Sequence, residues 1–272
     1  MRKKIILCGY HWTGCKALEL AGQGYKGEEQ SRMCSQYKRG CSMNGRIGDT
    51  TDDGGNVIVY GCGGHARSII NTIQELCDRM RIILVDSNAQ PDEIIMGCKT
   101  EREHKLRKTD GYIIAIGDNK ARSELYRKLD NLKTGNAVSV VSKYASVGME
   151  AVIGRGVFVA ANAYIGPQAE IGDNVIINTG SVVEHETKIG NNVHVAPHAT
   201  ICGRAKIGNS VLCGAGSVVI DNISICDNAI IGAGAVVKEN ITDAGLYVGV
   251  PARLVRKMKR WENEERGDCG AE

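Results

Sequence analysis

A six-residue repeat runs without a slip from Val147 to Thr242, and it constrains the fold more than any other feature of this 272-residue chain. The first residue of each hexad is Val147, Ile153, Val159, Ile165, Ile171, Ile177, Val183, Ile189, Val195, Ile201, Ile207, Cys213, Val219, Ile225, Ile231 and Val237, so only Cys213 departs from Val or Ile. The fifth residue is small or β-branched throughout, from Ala151 to Ile241, and Gly follows the aliphatic position in half of the sixteen hexads. Apolar residues recur on neither a strand nor a helix period, so neither frame fits. Each hexad reads as one short strand and one corner, with the aliphatic residue inward and Gly relieving the bend. Three hexads close a coil of eighteen residues, and equivalent residues stack at about 4.8 Å, the interstrand spacing of a sheet. The sixteen hexads then make a little over five coils of a parallel β-helix, a prism whose flat faces need partners to cover them.

Composition narrows the setting. Aromatics are only 4% of the chain, which suits a prism filled by Ile and Val better than a large globular core. The net charge of +3, with no basic stripe interleaved with aromatics, gives nucleic-acid binding little support. The Lys/Arg run from Arg253 to Arg260 reads as the solvated face of a terminal helix. Eleven cysteines are scattered without a Cys-x-x-Cys pair, and Cys202, Cys213 and Cys226 occupy repeat positions as small apolar fillers. A reduced, cytoplasmic setting follows. The opening "MRKKIILCGYHW" is too short for a signal sequence or a membrane span.

Residues 1–55 read as an atypical extension, poorly ordered for the most part. Lys3 to Gly9 has the pattern of a short strand, and "KIILCGYHWTGCKALEL" resembles the opening of formyltransferase-type domains, but nothing after it follows that pattern. From Ala21 to Gly55 the chain is nearly empty of large aliphatic residues and cannot bury enough to order itself. The grammar changes at Asn56. "NVIVYG", "RIILVDS", "GYIIAIGDN" and "AVSVVS" read as strands, with helices in "GCGGHARSIINTIQELCDRM" and "KARSELYRKLDNL". Such alternation predicts a Rossmann-like α/β domain over 56–140, followed by a β-helix domain over 141–272 that ends in a short helix and tail. Gly61, Gly63, Gly64, His65, Asp86 and Gly117 fall at the carboxyl ends of strands, where open α/β sheets bind ligands, and the glycines let backbone N–H groups approach a phosphate.

The third and fourth residues of a hexad face outward, which puts His185 and Glu186 side by side on an exposed corner. A carboxylate beside an imidazole orients it and stabilises its protonated form, as a general base requires. Asn178 lies seven residues earlier, and Gly203 lies one coil later and stacks beside His185, where its N–H suits a developing oxyanion. His194 lies half a coil away and would meet His185 only across a subunit boundary, so a symmetric trimer with sites in its clefts is expected. Cys202 adjoins the site at a repeat position that reads as structural.

The segments "VYGCGGHA", "IIAIGDN", "INTGSVVEHETKIGNNVHVAP", "ICGRAKIG", "IGAGAVVKEN" and "VGVPARLV" together resemble bacterial sugar acetyltransferases of the PglD and NeuD type over about residues 56 to 257. The resemblance implies a left-handed β-helix, acetyl-CoA as co-substrate and no metal. It implies His185 as the base, Glu186 as its partner, and Asn178 and His194 lining the acceptor and thioester pocket. Gly203 would hold the thioester oxygen, Ala215 and Ala233 would line the pantetheine arm, and Gly249, Val250 and Pro251 would lie near the adenine. Gly63, Gly64, His65, Asp86, Ser87 and Gly117 would hold a nucleotide sugar. Direct transfer to a nucleotide-linked amino sugar, such as a UDP-4-amino-4,6-dideoxy sugar for surface glycans, is the reaction implied. Sialic acid O-acetylation is the alternative acceptor. Two other classes stand beside it: a zinc hydratase using His185, His194 and His198, and a non-catalytic nucleotide-sugar-binding scaffold.

Overall fold

The computed structural model describes residues 5–8, 56–90 and 92–258. Residues 9–55, where the poorly ordered extension is expected, and the tail beyond residue 258 lie outside them. Strand β1 (Ile5–Cys8), within the short strand expected at Lys3–Gly9, runs parallel to β7 (Asn136–Val141). The α/β region follows as β2 (Val57–Tyr60), helix α1 (Gly64–Leu76), β3 (Ile82–Val85), the short pair β4 (Ile94–Ile95) and β5 (Cys98–Glu101), β6 (Gly111–Ile114) and helix α2 (Asn119–Asn131). The β4–β5 pair was not legible in the sequence, because its two-residue and Lys/Glu-bearing strands carry no run of β-branched residues. The sheet order is β7-β6-β2-β3-β5-β4, and the chain leaves β2 toward β3 but lies beside β6 on the other flank. The crevice above β2 and β6 is thus a topological switch point, flanked by the loops that carry Gly63 and Gly117.

Strand β7 belongs to both halves of the molecule. Its first residues pair with β6 (Asn136 opposite Gly111), while Val140 and Val141 pair with Phe158 and Val159 of the prism. The expected boundary between residues 140 and 141 therefore falls inside one strand, and the α/β sheet runs continuously into a face of the prism. Sixteen two-residue strands, β8 (Ser146–Val147) to β23 (Val236–Val237), build that prism. From β8 to β20 each pairs in parallel with the strand eighteen residues on, as in Ile176 opposite His194 and Val182 opposite Thr200. Inward residues, among them Ile165, Val183, Val195, Ile201 and Ile231, are fully buried in a single column. The corners are stacked as well: Asp173, Asn191 and Asn209 each donate their backbone N–H to the side chain one coil on, at 2.7–2.8 Å.

The three faces differ in what they show outward. Phe158 and Ile176 on the first face are buried under the α/β domain, in one cluster with Ile69, Ile73 and Val140. The second face presents Tyr164, Val182, Thr200, Val218 and Val236, all half-buried. The third presents Glu170, Lys188, Lys206 and Ser224, all exposed. The expected terminal helix is corrected: β24 (Gly245–Val248) turns through a cis Val250–Pro251 bond into β25 (Arg253–Lys257), an exposed antiparallel strand. Pairing with the edge of β24 satisfies backbone groups that an isolated basic turn of helix would leave to water, and tertiary pairing overrides the helix propensity of Arg and Lys.

One side chain locks the two halves together. Arg122, 1% exposed on α2, donates to the carbonyls of Asn174 (3.1 Å) and Asn192 (2.8 Å) on successive coils, and to those of Ile116 and Gly117 (3.0 Å each). Its neighbour Asn119 holds the Arg122 guanidinium at 2.6 Å and donates to the carbonyls of Ser210 and Val211, one coil further (3.1 Å each). Replacing Arg122 with Met orphans several buried carbonyls at once and should lower unfolding stability by about 3–5 kcal/mol. Urea denaturation would measure this; an unchanged midpoint would contradict the lock.

Candidate active site

His185 sits at the corner between the second and third faces. Its Nδ1 lies 3.0 Å from Glu186 Oε2, and both side chains are about 45% exposed. Glu186 adopts a left-handed backbone (φ 57°), the conformation at the fourth position of hexad after hexad. The His185 ring lies over Gly203, one coil on: a Cβ at residue 203 would stand 2.6 Å from both Cε1 and Nε2. A side chain at residue 203 would therefore push the imidazole aside. Hydrogen bonds from His185 and Arg204 hold the Glu186 carboxyl below its ordinary range, so it is an anion at neutral pH. An open groove of about 490 Å³ begins beside Glu186 and runs along the third face past Lys188, Arg204 and Lys206.

His194 is elsewhere, on the first face under the α/β domain. Its Nδ1 meets the Gly117 carbonyl at 3.3 Å and its Nε2 meets Asn178 Nδ2 at 3.3 Å. A carbonyl can only accept, so Nδ1 carries the proton and Nε2 accepts from Asn178. The His65 ring packs edge-on against Phe158 and 6.4 Å from His194, with its Nε2 buried and without a partner among the described residues. Thus the structure brings Asn178, His194, His65 and Gly117 together, and His185, Glu186 and Gly203 together, on separate corners. Ala215 and Ala233 stand on the corner that carries Asn178, one and two coils beyond Pro197. Gly249, Val250 and Pro251 form the exposed turn between β24 and β25.

At the switch point, Gly63 caps α1 with no side chain bonded to the first-turn N–H groups, and added Cβ atoms at Gly63, Gly64 or Gly117 would meet nothing within 4 Å. Space for a ligand is thus open at the helix N-terminus. Asp86 accepts the Cys62 N–H at 3.1 Å and the Asn88 N–H at 3.0 Å, which fixes both loops, and Ser87 is exposed beside it. His65 turns inward from this rim and backs the crevice. Sequence reading missed Arg122 and Asn119; a charged residue within a polar amphipathic helix gives no sign that it is buried. Burial, together with the Asp221 and Glu184 carboxylates, pushes the Cys202 thiol up, away from the nucleophilic thiolate. Among the described residues no cluster of three or more His, Cys, Asp or Glu is arranged to hold a metal, and His185, His194 and His198 lie apart.

Burial, then neighbouring positive charge, holds the His194 imidazole down at about 4 and that of His65 at about 3, Arg122 acting on both. Both rings are neutral in the folded protein at pH 7. Their folded values lie below the unfolded value of 6.5, so the unfolded chain takes up protons first as pH falls through it, and stability declines from about pH 6.5 toward pH 4. The drop in melting temperature between pH 7.5 and 5 should be smaller in His194→Asn than in the parent. Equal drops would show that His194 is not held neutral.

Three comparisons place this geometry among known proteins. The PglD N-terminal domain model matches residues 56–129, and the six-repeat bacterial transferase hexapeptide model matches residues 150–185 and 169–203. A search of curated proteins returned no match. Among solved structures, GDP-perosamine N-acetyltransferase from Caulobacter crescentus, a histidine-to-alanine form in complex with CoA and GDP-perosamine, is 31% identical, with a TM-score of 0.66 over 74% of this chain and 96% of that one. The acetyltransferase domain of PglB from Neisseria gonorrhoeae FA1090 is 24% identical, with a TM-score of 0.70 over 74% of this chain and 99% of that one, and shares the fold. The hexapeptide match carries the left hand of the coil with it. A Rossmann-like domain joined to a left-handed β-helix, matched along nearly the whole of a 31% identical enzyme, makes this chain a member of the PglD-type sugar acetyltransferases.

Proposed function

We propose that the protein transfers the acetyl group of acetyl-CoA directly to the amino group of a nucleotide-linked amino sugar, with His185 as general base. The observation that carries this reading is the His185 ring held through Nδ1 by Glu186 at 3.0 Å, with Nε2 free over Gly203. Support for the substrates comes from the 31% identical enzyme, solved with CoA and GDP-perosamine. That enzyme has also been solved with a histidine replaced by Ala and by Asn.

In the proposed reaction the sugar amine attacks the thioester carbonyl and forms the new N–C bond. Its proton passes to His185 Nε2, and Glu186 stabilises the imidazolium. The Gly203 N–H, which meets no acceptor among the described residues, donates to the carbonyl oxygen as it gains charge. Collapse of the tetrahedral intermediate breaks the C–S bond, and the imidazolium returns the proton to the CoA thiolate. The products are the acetamido sugar and CoA, with no acyl-enzyme.

The nucleotide sugar would bind with its phosphates at the N-terminus of α1, near Gly63 and Gly64, and its base toward Asp86 and Ser87, so that the sugar passes Gly117 and His194. Neutral His194 and Asn178 then offer polar contacts without repelling an incoming cation. These groups and His185 lie on different corners of one prism, so the complete site requires a second copy. A homotrimer packed through the second face, where Tyr164, Val182, Thr200, Val218 and Val236 are only half-buried, would set His185 of one subunit against the cleft of the next. Ala215 and Ala233 would line that cleft for the pantetheine, with the Gly249–Pro251 turn near the adenine.

Purified protein given acetyl-CoA and a panel of UDP- and GDP-linked 4-amino sugars should release thiol. Release only with free or CMP-linked sialic acid would replace the amide product with an ester; no release with any acceptor would overturn the reading. His185→Ala should reduce turnover about 10²–10⁴-fold while acetyl-CoA still binds. Gly203→Ala, whose Cβ displaces the imidazole, should also lower turnover, and full activity in His185→Ala would remove His185 from the mechanism.

A further inference from the structure

Arg204 stands one coil above Glu186, at the same left-handed corner position (φ 58°). Its Nη1 donates to Glu186 Oε2 at 3.3 Å, the same oxygen that meets His185 Nδ1 at 3.0 Å. Its Nε donates to Asn222 Oδ1 at 3.3 Å, one coil further still. Asn222 in turn donates through Nδ2 to Asp221 Oδ2 at 2.9 Å, which fixes the amide with its oxygen toward the arginine. Three coils thus supply a continuous chain, Asp221 to Asn222 to Arg204 to Glu186 to His185. Each link joins neighbours in sequence or residues eighteen apart, so the chain exists only because the coils are stacked in register.

Chemistry gives this chain a direction. A carboxylate on an exposed β corner has several rotamers, and only one puts Oε2 on the imidazole. A guanidinium fixed from above by Asn222 limits that freedom and keeps the carboxylate ionised. We infer that Arg204 is a positioning residue for the acetyl transfer, acting through Glu186 to orient His185. The inference rests on the reading of His185 as general base. The other charged groups around this corner are Glu184 on the same coil, Asp221 beyond Arg204, and Glu170, Lys188 and Lys206 along the adjoining groove. Glu170 and Lys188 are paired with each other at 2.9 Å. Arg204 is the cation bonded to the Glu186 carboxylate itself.

The test is a double-mutant cycle on thiol release, with pH profiles of kcat/KM for the parent, Arg204→Met, Arg204→Lys, Glu186→Gln and the Arg204→Met/Glu186→Gln pair. Removing the cation lets His185 hold its proton to higher pH. The acid limb should therefore move up by about 0.5 pH unit in Arg204→Met, with kcat about 3–10-fold lower on the plateau. Arg204→Lys should restore the position of the limb more than the plateau, because the charge returns without the fork that grips two partners. In the Glu186→Gln background, where the charge gripped by the guanidinium is gone, Arg204→Met should lower kcat by a smaller factor than in the parent. Parent-like kcat and pH profile in Arg204→Met, or an equal loss of kcat in both backgrounds, would overturn the inference. Failure of the base reading is seen separately, as full activity in His185→Ala; an inactive His185→Ala beside a parent-like Arg204→Met would remove Arg204 alone.

Discussion

The grip of Arg122 on the prism is the contact on which the rest of the arrangement depends. A strand shared between a sheet and a β-helix is a narrow hinge, and β7 alone would leave the α/β domain free to tilt. Arg122 and Asn119 remove that freedom by reaching carbonyls on three successive coils, those of Asn174, Asn192 and Ser210. The same guanidinium holds the Ile116 and Gly117 carbonyls, and with the His194 contact to the Gly117 carbonyl it ties the loop at the switch point to the prism. A buried arginine carries a large desolvation cost. Here every arm of the fork is matched to a carbonyl or to Asn119, which offsets it, and the guanidinium value is held down only to about 10.

That docking divides the histidines by environment. His65 of helix α1 and His194 of the prism meet where the α/β domain covers the first face, desolvated and near a fixed cation, and so stay neutral. His185 lies in the open with a carboxylate at hand. The imidazoles are thereby placed in two settings: two are held neutral where the α/β domain meets the prism, and one stands in the open beside a carboxylate. The assignment comes from burial and charge.

Stacking in register has chemical consequences beyond stability. A residue in a β-helix has its nearest side-chain neighbours eighteen positions away, and the corner around His185 is built from such neighbours. The His185 imidazole lies on Gly203, and the His198 ring likewise lies against Gly180. Arg204 reaches Glu186 by the same offset. Sequence neighbours such as Cys202 contribute less, since alternate positions point into the prism or along its wall.

The sequence by itself determined the β-helix, its coil length and its inward residues, because a period of six with one aliphatic position admits a single folding solution. It determined the alternating α/β domain and the glycine-rich crevice for the same reason of strong local pattern. It also placed His185, Glu186 and Gly203 together, since the repeat converts an offset of eighteen into contact. The terminal strand, the β4–β5 pair and the shared strand β7 were decided by tertiary pairing, which short or charged segments do not announce. Only the tertiary structure buried Arg122, turned His65 inward to face His194, and separated His194 from His185. Those outcomes depend on how the α/β domain sits against one face of the prism, and the carbonyls that set its position are backbone groups, identical in every residue and invisible in a list of side chains.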